Sequence, residues 1–205
     1  MEISTGQGPA EVRVDEASEP AFLLIMTHGA AGGPDTRDVL AAGAAAANRG
    51  ATVARVLQPY RVRGARAPGS PERQDEAWLE IVAELRSRYP GIPLVQGGRS
   101  NGARVACRTA AAAGARGVVA LAFPLHPPGR PESSRAGELR GAGVDVLVVN
   151  GERDPFGIPA RADASRVVVL PGETHALSRH PAAVGKAVGD WLSELLGVGL
   201  RGGSR

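Results

Sequence analysis

Residues 93–104 have the sequence Pro-Leu-Val-Gln-Gly-Gly-Arg-Ser-Asn-Gly-Ala-Arg, and this stretch decides the fold. The apolar run Pro93–Gln96 predicts a buried strand, and the spacing after it predicts a helix from Asn101 to about Ala113. Residues 98–102 between them have the pattern Gly-x-Ser-x-Gly. In such a strand–turn–helix the serine stands on a tight turn above the end of the sheet, where a side chain at either glycine would collide with its neighbours. Ser100 is therefore the predicted nucleophile.

Short apolar runs alternate along the whole chain with segments of helical periodicity. The runs predict six strands and one edge strand: Phe22–Met26, Thr52–Leu57, Pro93–Gln96, Val118–Phe123, Asp145–Asn150, Arg166–Leu170 and, at the edge, Glu11–Val14. The helices are predicted from Asp35 or Thr36 to about Asn48, from Ser70 to Pro90, from Asn101 to Ala113, and from Pro181 onward. Strands that are apolar at nearly every position must be covered on both faces, so the pattern predicts a three-layer α/β domain with a mostly parallel sheet.

The length of 205 residues fits a single domain, and hydrophobic residues at 43% are enough to form its core. We predict that the domain is ordered from about residue 20 to 196 and that residues 197–205 form a flexible tail. The connection between Phe123 and Asp145 is too short to hold a cap domain. Aromatic residues make up only 3% of the chain, which favours an open site for small or polar substrates.

The composition argues against several classes of partner. A net charge of +3 is too small for the dense basic surface that nucleic-acid binding needs. The apolar runs are far shorter than the ~18–20 residues that span a bilayer, and no signal peptide is visible, so a cytoplasmic protein without membrane contact is predicted. The single cysteine, Cys107, excludes an internal disulfide and a Cys-based zinc site and is predicted to be a small buried residue. Neither a metal nor a cofactor is predicted, because no residues show ligand spacing.

A serine hydroxyl needs a base to take its proton, and in an open parallel sheet functional residues follow the carboxyl ends of strands. His175 lies directly beyond the strand that ends at Leu170, in the order serine, acid, histidine that accompanies this motif. His180 also follows that strand, but it adjoins Pro181 at the start of the last helix, which directs it to the surface. We predict that His175 is the base, and His180 is the less favoured alternative.

An acid must orient the imidazole of such a base. Asp154 lies in the turn that follows the strand Asp145–Asn150, and we predict that it fills this role. Glu152 is the alternative, but it is flanked by Arg153, so a structural ion pair is the more ordinary explanation for it.

Two backbone N–H groups near Ser100 should stabilise the negative charge that forms on a substrate carbonyl oxygen. One follows from the turn itself and is the N–H of Asn101. The other is predicted in the loop after the first apolar strand, at Ala30 with Ala31 as the alternative, because the small residues of this loop let the backbone approach closely. His28 in the same loop is predicted to be a hydrogen-bonded framework residue rather than a second base.

Together these residues resemble the α/β-hydrolase superfamily, in particular its small lidless members related to dienelactone hydrolase. The closer resemblance is to the hydrolase-like domain shared by a testis-expressed protein and a subunit of the NSL chromatin complex. The stretches that carry it are Thr27–Ala30, Gly97–Arg104, Pro124–Gly129, Gly151–Gly157 and Thr174–His175. The resemblance implies an eight-stranded scaffold, or a version trimmed to as few as six strands at the N-terminal edge, that carries a Ser100–Asp154–His175 triad.

The leading functional hypothesis is a serine hydrolase of carboxylesterase or thioesterase type that acts on a small or polar ester-like substrate. Acyl transfer to an acceptor other than water is not separable from hydrolysis at this level. The alternative is a non-catalytic binding or scaffold domain that uses Arg61–Arg66, otherwise a solvated loop, or Pro124–Pro131. A large distance between His175 Nε2 and Ser100 Oγ would favour the scaffold.

Overall fold

The alternating strands and helices form one eight-stranded sheet with helices on both faces. The computed structural model describes residues 1–200. In chain order its strands are β1 (Glu2–Ile3), β2 (Ala10–Asp15), β3 (Phe22–Thr27), β4 (Ala51–Leu57), β5 (Leu94–Arg99), β6 (Gly117–Leu121), β7 (Asp145–Gly151) and β8 (Arg166–Leu170). Its helices are α1 (Arg37–Ala47), α2 (Pro59–Val62), α3 (Pro71–Arg88), α4 (Asn101–Ala113), α5 (Ala136–Arg140) and α6 (Pro181–Leu196), with a short 3-10 turn at Arg161–Asp163. The predicted α/β fold is confirmed.

The order of the strands across the sheet is β1-β2-β4-β3-β5-β6-β7-β8. From β4 to β8 every neighbouring pair is parallel, whereas β2 pairs antiparallel with both β1 and β4. The carboxyl ends of β3, β5, β7 and β8 therefore lie along one edge of the sheet. Residues that follow these strands are brought together at that edge.

Strand β3 shows how the sheet separates two hydrophobic cores, because its successive side chains point to opposite faces. Leu23 and Ile25 pack in the core beneath α3 and α4. Leu24 and Met26 pack in the core beneath α1 and α6. Each of these side chains is fully buried, which contributes about 1.5–3 kcal/mol per side chain to folding.

The six predicted central strands are present, and the predicted edge strand is present as β2. β5 runs on to Arg99, and β6 ends at Leu121 because Ala122 has a φ of 47°. Strand β1 was not predicted, because two residues are too few to show an alternation. The sheet has all eight strands, so the prediction of a trimmed N-terminal edge is wrong. Strands β1 and β2 both lie before the predicted 20–196 core. Helices α2 and α5 were missed for the same reason.

No connection of the sheet within residues 1–200 holds a cap domain. The segment from β6 to β7 holds a single short helix, α5, as expected without a cap domain. Helix α6 ends at Leu196, and Gly197 follows in a left-handed conformation with a φ of 66°. The predicted tail begins there, and its residues 201–205 lie outside the described residues. Within residues 1–200, no helix combines the length and the apolar character that crossing a bilayer requires.

Candidate active site

Ser100 stands between β5 and α4 on a turn with positive φ. Its φ of 52° and ψ of −115° form a conformation that residues other than glycine rarely adopt. A Cβ at Gly98 would lie 2.5 Å from the carbonyl carbon of Gly102, and a Cβ at Gly102 would lie 2.6 Å from the carbonyl oxygen of His28. Both positions therefore require glycine, as the steric argument from the sequence predicts.

Hydrogen bonds join three of the predicted site side chains. Ser100 Oγ lies 2.9 Å from His175 Nε2. On the other side of the ring, His175 Nδ1 lies 2.9 Å from Asp154 Oδ2 and 3.1 Å from Asp154 Oδ1. An ionised carboxylate only accepts hydrogen bonds, so Nδ1 donates and Nε2 is left to accept from the Ser100 hydroxyl. This arrangement is able to take the serine proton as the oxygen attacks a carbonyl carbon.

The loop after β7 fixes both the Asp154 carboxylate and the His175 ring. The Asp154 side chain is fully buried, and its Oδ1 accepts a hydrogen bond of 2.9 Å from the backbone N–H of Phe156. Asn150 Nδ2 lies 3.4 Å from Asp154 Oδ2. The Phe156 ring packs on the His175 ring, with 4.3 Å between the ring centroids. One short loop therefore orients the carboxylate and covers one face of the imidazole.

The two less favoured alternatives lie outside this hydrogen-bonded chain. His180 is an exposed residue at the N-cap of α6, and its backbone N–H donates to Glu173 Oε1 at 2.5 Å. Glu152 is exposed, and its Oε2 accepts a hydrogen bond of 2.8 Å from the backbone N–H of Gly172. Glu152 thus has the structural role that its position indicates, but the partner it contacts is Gly172 instead of the predicted Arg153.

The loop after β3 lies against the serine turn. A Cβ at Gly29 would lie 3.3 Å from the Cβ of Ser100, so the loop backbone approaches Ser100 closely. His28 Nδ1 lies 2.7 Å from the carbonyl oxygen of Gly29, and the backbone N–H of Gln58 donates to His28 Nε2 at 3.0 Å. Since Nε2 accepts, the proton is on Nδ1 and is donated to Gly29.

This bond orients the peptide unit between Gly29 and Ala30. The C=O and N–H groups of a trans peptide point in opposite directions, so a carbonyl held by the His28 ring turns the N–H of Ala30 away from that ring. Tyr60 Oη also donates to the carbonyl of Ala30 at 3.0 Å. Burial lowers the pKa of His28 to about 4, which keeps the ring neutral. His28 therefore has the framework role predicted for it, and Ala31 is exposed.

Asn101 is the first residue of α4, so its N–H group has no partner within the helix. Its side-chain Nδ2 donates to Gln74 Oε1 at 2.7 Å, which holds the start of α4 against the first turns of α3. The positive end of the helix dipole lies at the same point and favours negative charge beside Ser100.

Residues 20–176 match a family model described as an alpha/beta hydrolase domain. The chain belongs to the α/β-hydrolase family. Among curated proteins, no sequence matches it.

Solved structures share the fold at low sequence identity. Est1E from Butyrivibrio proteoclasticus, solved with ferulic acid bound, is 17% identical with a TM-score of 0.79, over 96% of this chain and 99% of that one. XC6422 from Xanthomonas campestris, an α/β serine hydrolase without a lid, is 20% identical with a TM-score of 0.74, over 95% and 93% of the two chains. A dienelactone hydrolase from Anabaena variabilis is 14% identical with a TM-score of 0.74, over 95% of both chains.

Sequence reasoning missed three charged side chains that this α/β-hydrolase places beside the site. Glu173 is fully buried two residues before His175, and its Oε2 has no hydrogen-bond partner within residues 1–200. Arg99, the residue before Ser100, pairs with the buried Asp38. The sequence pointed weakly to Glu173, because this residue lies in the same short loop as the predicted base, His175. Arg99 and Asp38 are 61 positions apart in the chain, and no local pattern links them.

The arginine-rich segment and the single cysteine have structural surroundings that differ from those of the site. Arg63–Arg66 are exposed, as predicted for a solvated loop, whereas Arg61 is half-buried because its Nε donates to the carbonyl of Gly32 at 3.0 Å and so supports the loop after β3. Cys107 is fully buried, as predicted, and burial raises the pKa of its thiol. Among the residues that the structure describes, no three His, Cys, Asp or Glu side chains are grouped to hold a metal ion.

Proposed function

We propose that the protein is a serine hydrolase of carboxylesterase or thioesterase type, with Ser100 as nucleophile, His175 as base and Asp154 as the orienting acid. The observation that carries the proposal is the distance of 2.9 Å between His175 Nε2 and Ser100 Oγ, on a ring whose Nδ1 donates to Asp154. The family membership supports the same reaction class without establishing it, because one fold hosts many functions.

In the proposed reaction, Ser100 Oγ bonds to the carbonyl carbon while His175 takes its proton. The N–H groups of Ala30 and Asn101 stabilise the oxyanion that forms. As the ester or thioester bond breaks, His175 gives this proton to the leaving alcohol or thiol, and the acyl group stays on Ser100. Water then attacks the acyl-enzyme with His175 as base, which releases the acid and restores the serine hydroxyl.

A small or polar substrate is part of this proposal. A cavity of about 110 Å³ lies between α2 and α3, and its lining includes Tyr60 and Gln74, which bond to Ala30 and Asn101. Other lining residues are polar or small, including Gln58, Arg63 and Arg73. Neither Ser100 nor His175 lines this cavity, so the proposal of a small or polar substrate rests on the aromatic content of only 3%.

The scaffold alternative predicts a separated pair of His175 and Ser100 side chains. The hydrogen-bond distance between them favours catalysis instead.

We also propose the closer relation to the hydrolase-like domain of the testis-expressed and NSL-subunit group, supported by the motifs Gly97–Arg104 and Pro124–Gly129. The cytoplasmic location and the lack of nucleic-acid binding stay predictions from composition.

A panel of nitrophenyl esters, from acetate to dodecanoate, tests the proposal. We expect kcat/KM to be highest for the short acyl chains and Ser100→Ala to lower it by roughly 10³-fold or more. Ser87→Ala is the control, because Ser87 is an exposed residue of α3 that bonds to the carbonyl of Glu84. Turnover that survives Ser100→Ala would contradict the proposed nucleophile, and a preference for dodecanoate would contradict the proposed substrate size.

A further inference from the structure

The side chain of Arg99 lies between three segments that build the site. Its Nη2 donates to the backbone carbonyl of His175 at 2.9 Å. Its Nη1 lies 3.2 Å from the position of a Cβ on Gly29, in the loop that presents Ala30. Its Nε lies 3.0 Å from Asp38 Oδ2 in the first turn of α1. One guanidinium therefore hydrogen-bonds to the loop that carries His175 (the base loop, residues 171–180), lies beside Gly29 in the loop after β3 (the oxyanion loop, residues 28–36) and pairs with α1.

Asp38 gives this guanidinium a fixed position. The Asp38 side chain is fully buried, and that of Arg99 is 16% exposed. Within residues 1–200, Arg99 Nε and both carboxylate oxygens of Asp38 make no hydrogen bond, so Arg99 compensates the Asp38 charge through the ion pair alone. A buried charge without a partner is strongly unfavourable. The ion pair thus holds the Arg99 side chain in place while its other nitrogens contact the two loops.

We propose that Arg99, held by the buried Asp38, is a positioning residue that keeps the His175 loop and the oxyanion loop in register with Ser100. The inference rests on the proposed function and deepens it. Arg99 acts through other groups, because its guanidinium contacts a backbone carbonyl of the base loop rather than the reacting atoms.

The base loop is also tied to the loop after β7, because the Arg153 N–H donates to the carbonyl of Glu173 at 2.8 Å and the Gly172 N–H donates to Glu152 Oε2. Glu173 Oε1 accepts from the His180 N–H and closes the loop on itself. Leu177 within it has a φ of 46°, a conformation that needs support from its surroundings. Within residues 1–200, the Arg99 hydrogen bond is the one that links the His175 backbone directly to the strand β5 before Ser100. A shift of about 1 Å in the imidazole is enough to cost roughly a hundredfold in rate.

Arg99→Lys separates the positioning role from a merely structural one. Lysine keeps a positive charge for Asp38, but its single ammonium cannot also reach the His175 carbonyl with a rigid fork. We expect kcat to fall by roughly ten- to a hundredfold, with KM within about threefold of the wild type and the unfolding midpoint little changed. Arg108→Lys is the matched control, since Arg108 has the same side-chain exposure of 16% and pairs with Asp75 away from Ser100.

A charge-neutral double variant tests whether a loss of stability explains the loss of kcat. Arg99→Gln leaves Asp38 buried and unpaired, so we expect its unfolding midpoint to fall. Adding Asp38→Asn should restore the midpoint but not kcat. A folded Arg99→Lys protein, or a folded double variant, with kcat within twofold of the wild type would overturn the proposal.

Amide hydrogen exchange gives a readout that does not depend on turnover. We expect exchange in peptides that cover residues 173–180 to be several-fold faster in Arg99→Lys and unchanged in Arg108→Lys. If the wild type hydrolyses no ester, the proposed function fails, and the exchange comparison alone decides on Arg99. Unchanged exchange in Arg99→Lys would then overturn the positioning role.

Discussion

Two imidazoles near Ser100 take their tautomers from their hydrogen-bond partners. Asp154 accepts from Nδ1 of His175, and the carbonyl of Gly29 accepts from Nδ1 of His28. Each ring therefore presents Nε2 as an acceptor, to the Ser100 hydroxyl in one case and to a backbone N–H in the other. Nε2 of a base must be able to take up a proton. Nε2 of the His28 ring instead accepts the Gln58 N–H, and this ring stays neutral.

The pKa of His28 makes stability depend on pH. It falls from an ordinary 6.5 to about 4 in the folded protein, chiefly because burial disfavours the charged ring. Between these values the unfolded chain binds a proton that the folded chain does not, so stability falls as the pH falls from about 6.5 to about 4. The contribution is present in full above pH 6.5, and its loss amounts to roughly 3 kcal/mol.

Urea unfolding at pH 7 and pH 4.5 measures this contribution when the wild type is compared with His28→Gln. Glutamine does not titrate, so we expect the loss of unfolding free energy between the two pH values to be smaller in the variant by about 2–3 kcal/mol. An equal loss in both proteins would show that His28 is not the group responsible.

At the scale of elements, the junction of β3, β5 and α4 depends on close backbone approach. Gly102→Ala places a Cβ 2.6 Å from the carbonyl oxygen of His28, which is backbone and cannot rotate away. We expect the substitution to lower the unfolding free energy by about 1–3 kcal/mol and to lower kcat/KM for a nitrophenyl ester by at least about tenfold. The physical reason is that the oxyanion loop moves away from Ser100.

Gly137→Ala is the matched control for this prediction. Gly137 lies in α5, has an ordinary φ, and a Cβ there would meet nothing within 4 Å. We expect no loss of activity and a gain of about 0.4–1 kcal/mol in unfolding free energy. A Gly102→Ala protein that behaves like Gly137→Ala would contradict the close approach of the two loops.

The elements that the sequence predicts are those whose periodicity extends over several residues. The apolar run of β3 and the helical face of α3 are long enough to identify, and Gly98 and Gly102 mark the turn between β5 and α4. Strand β1 and helices α2 and α5 are too short for any period to be visible. Their positions depend on pairing with β2 or on packing against neighbours, which are contacts between distant parts of the chain.

The same distinction holds for the candidate site. Ser100, Asp154 and His175 each follow a predicted strand, so parallel topology alone places them at one edge. The Arg99–Asp38 pair depends on which side chain fills the space behind that edge, and this is decided only when α1 packs on the sheet. A single chain read in order does not contain that information.

For the molecule as a whole, the sheet divides two cores and leaves its carboxyl edge without a cap. All the proposed catalytic groups lie at this edge, on loops that begin where buried strands end. The strands are rigid because both faces are covered, so the loops start from fixed points. The fold therefore holds the proposed catalytic groups in fixed positions with few residues outside its hydrophobic cores.

Labelling with a fluorophosphonate, followed by intact mass and peptide mapping, tests the central claim most directly. The probe reacts only with a serine whose proton is taken by a base and whose oxyanion is stabilised. We predict that the folded wild type gains the mass of one probe at Ser100, that Ser87→Ala labels equally, and that Ser100→Ala does not label. A folded wild type that stays unlabelled, or a Ser100→Ala protein that labels to the same extent, would contradict the account.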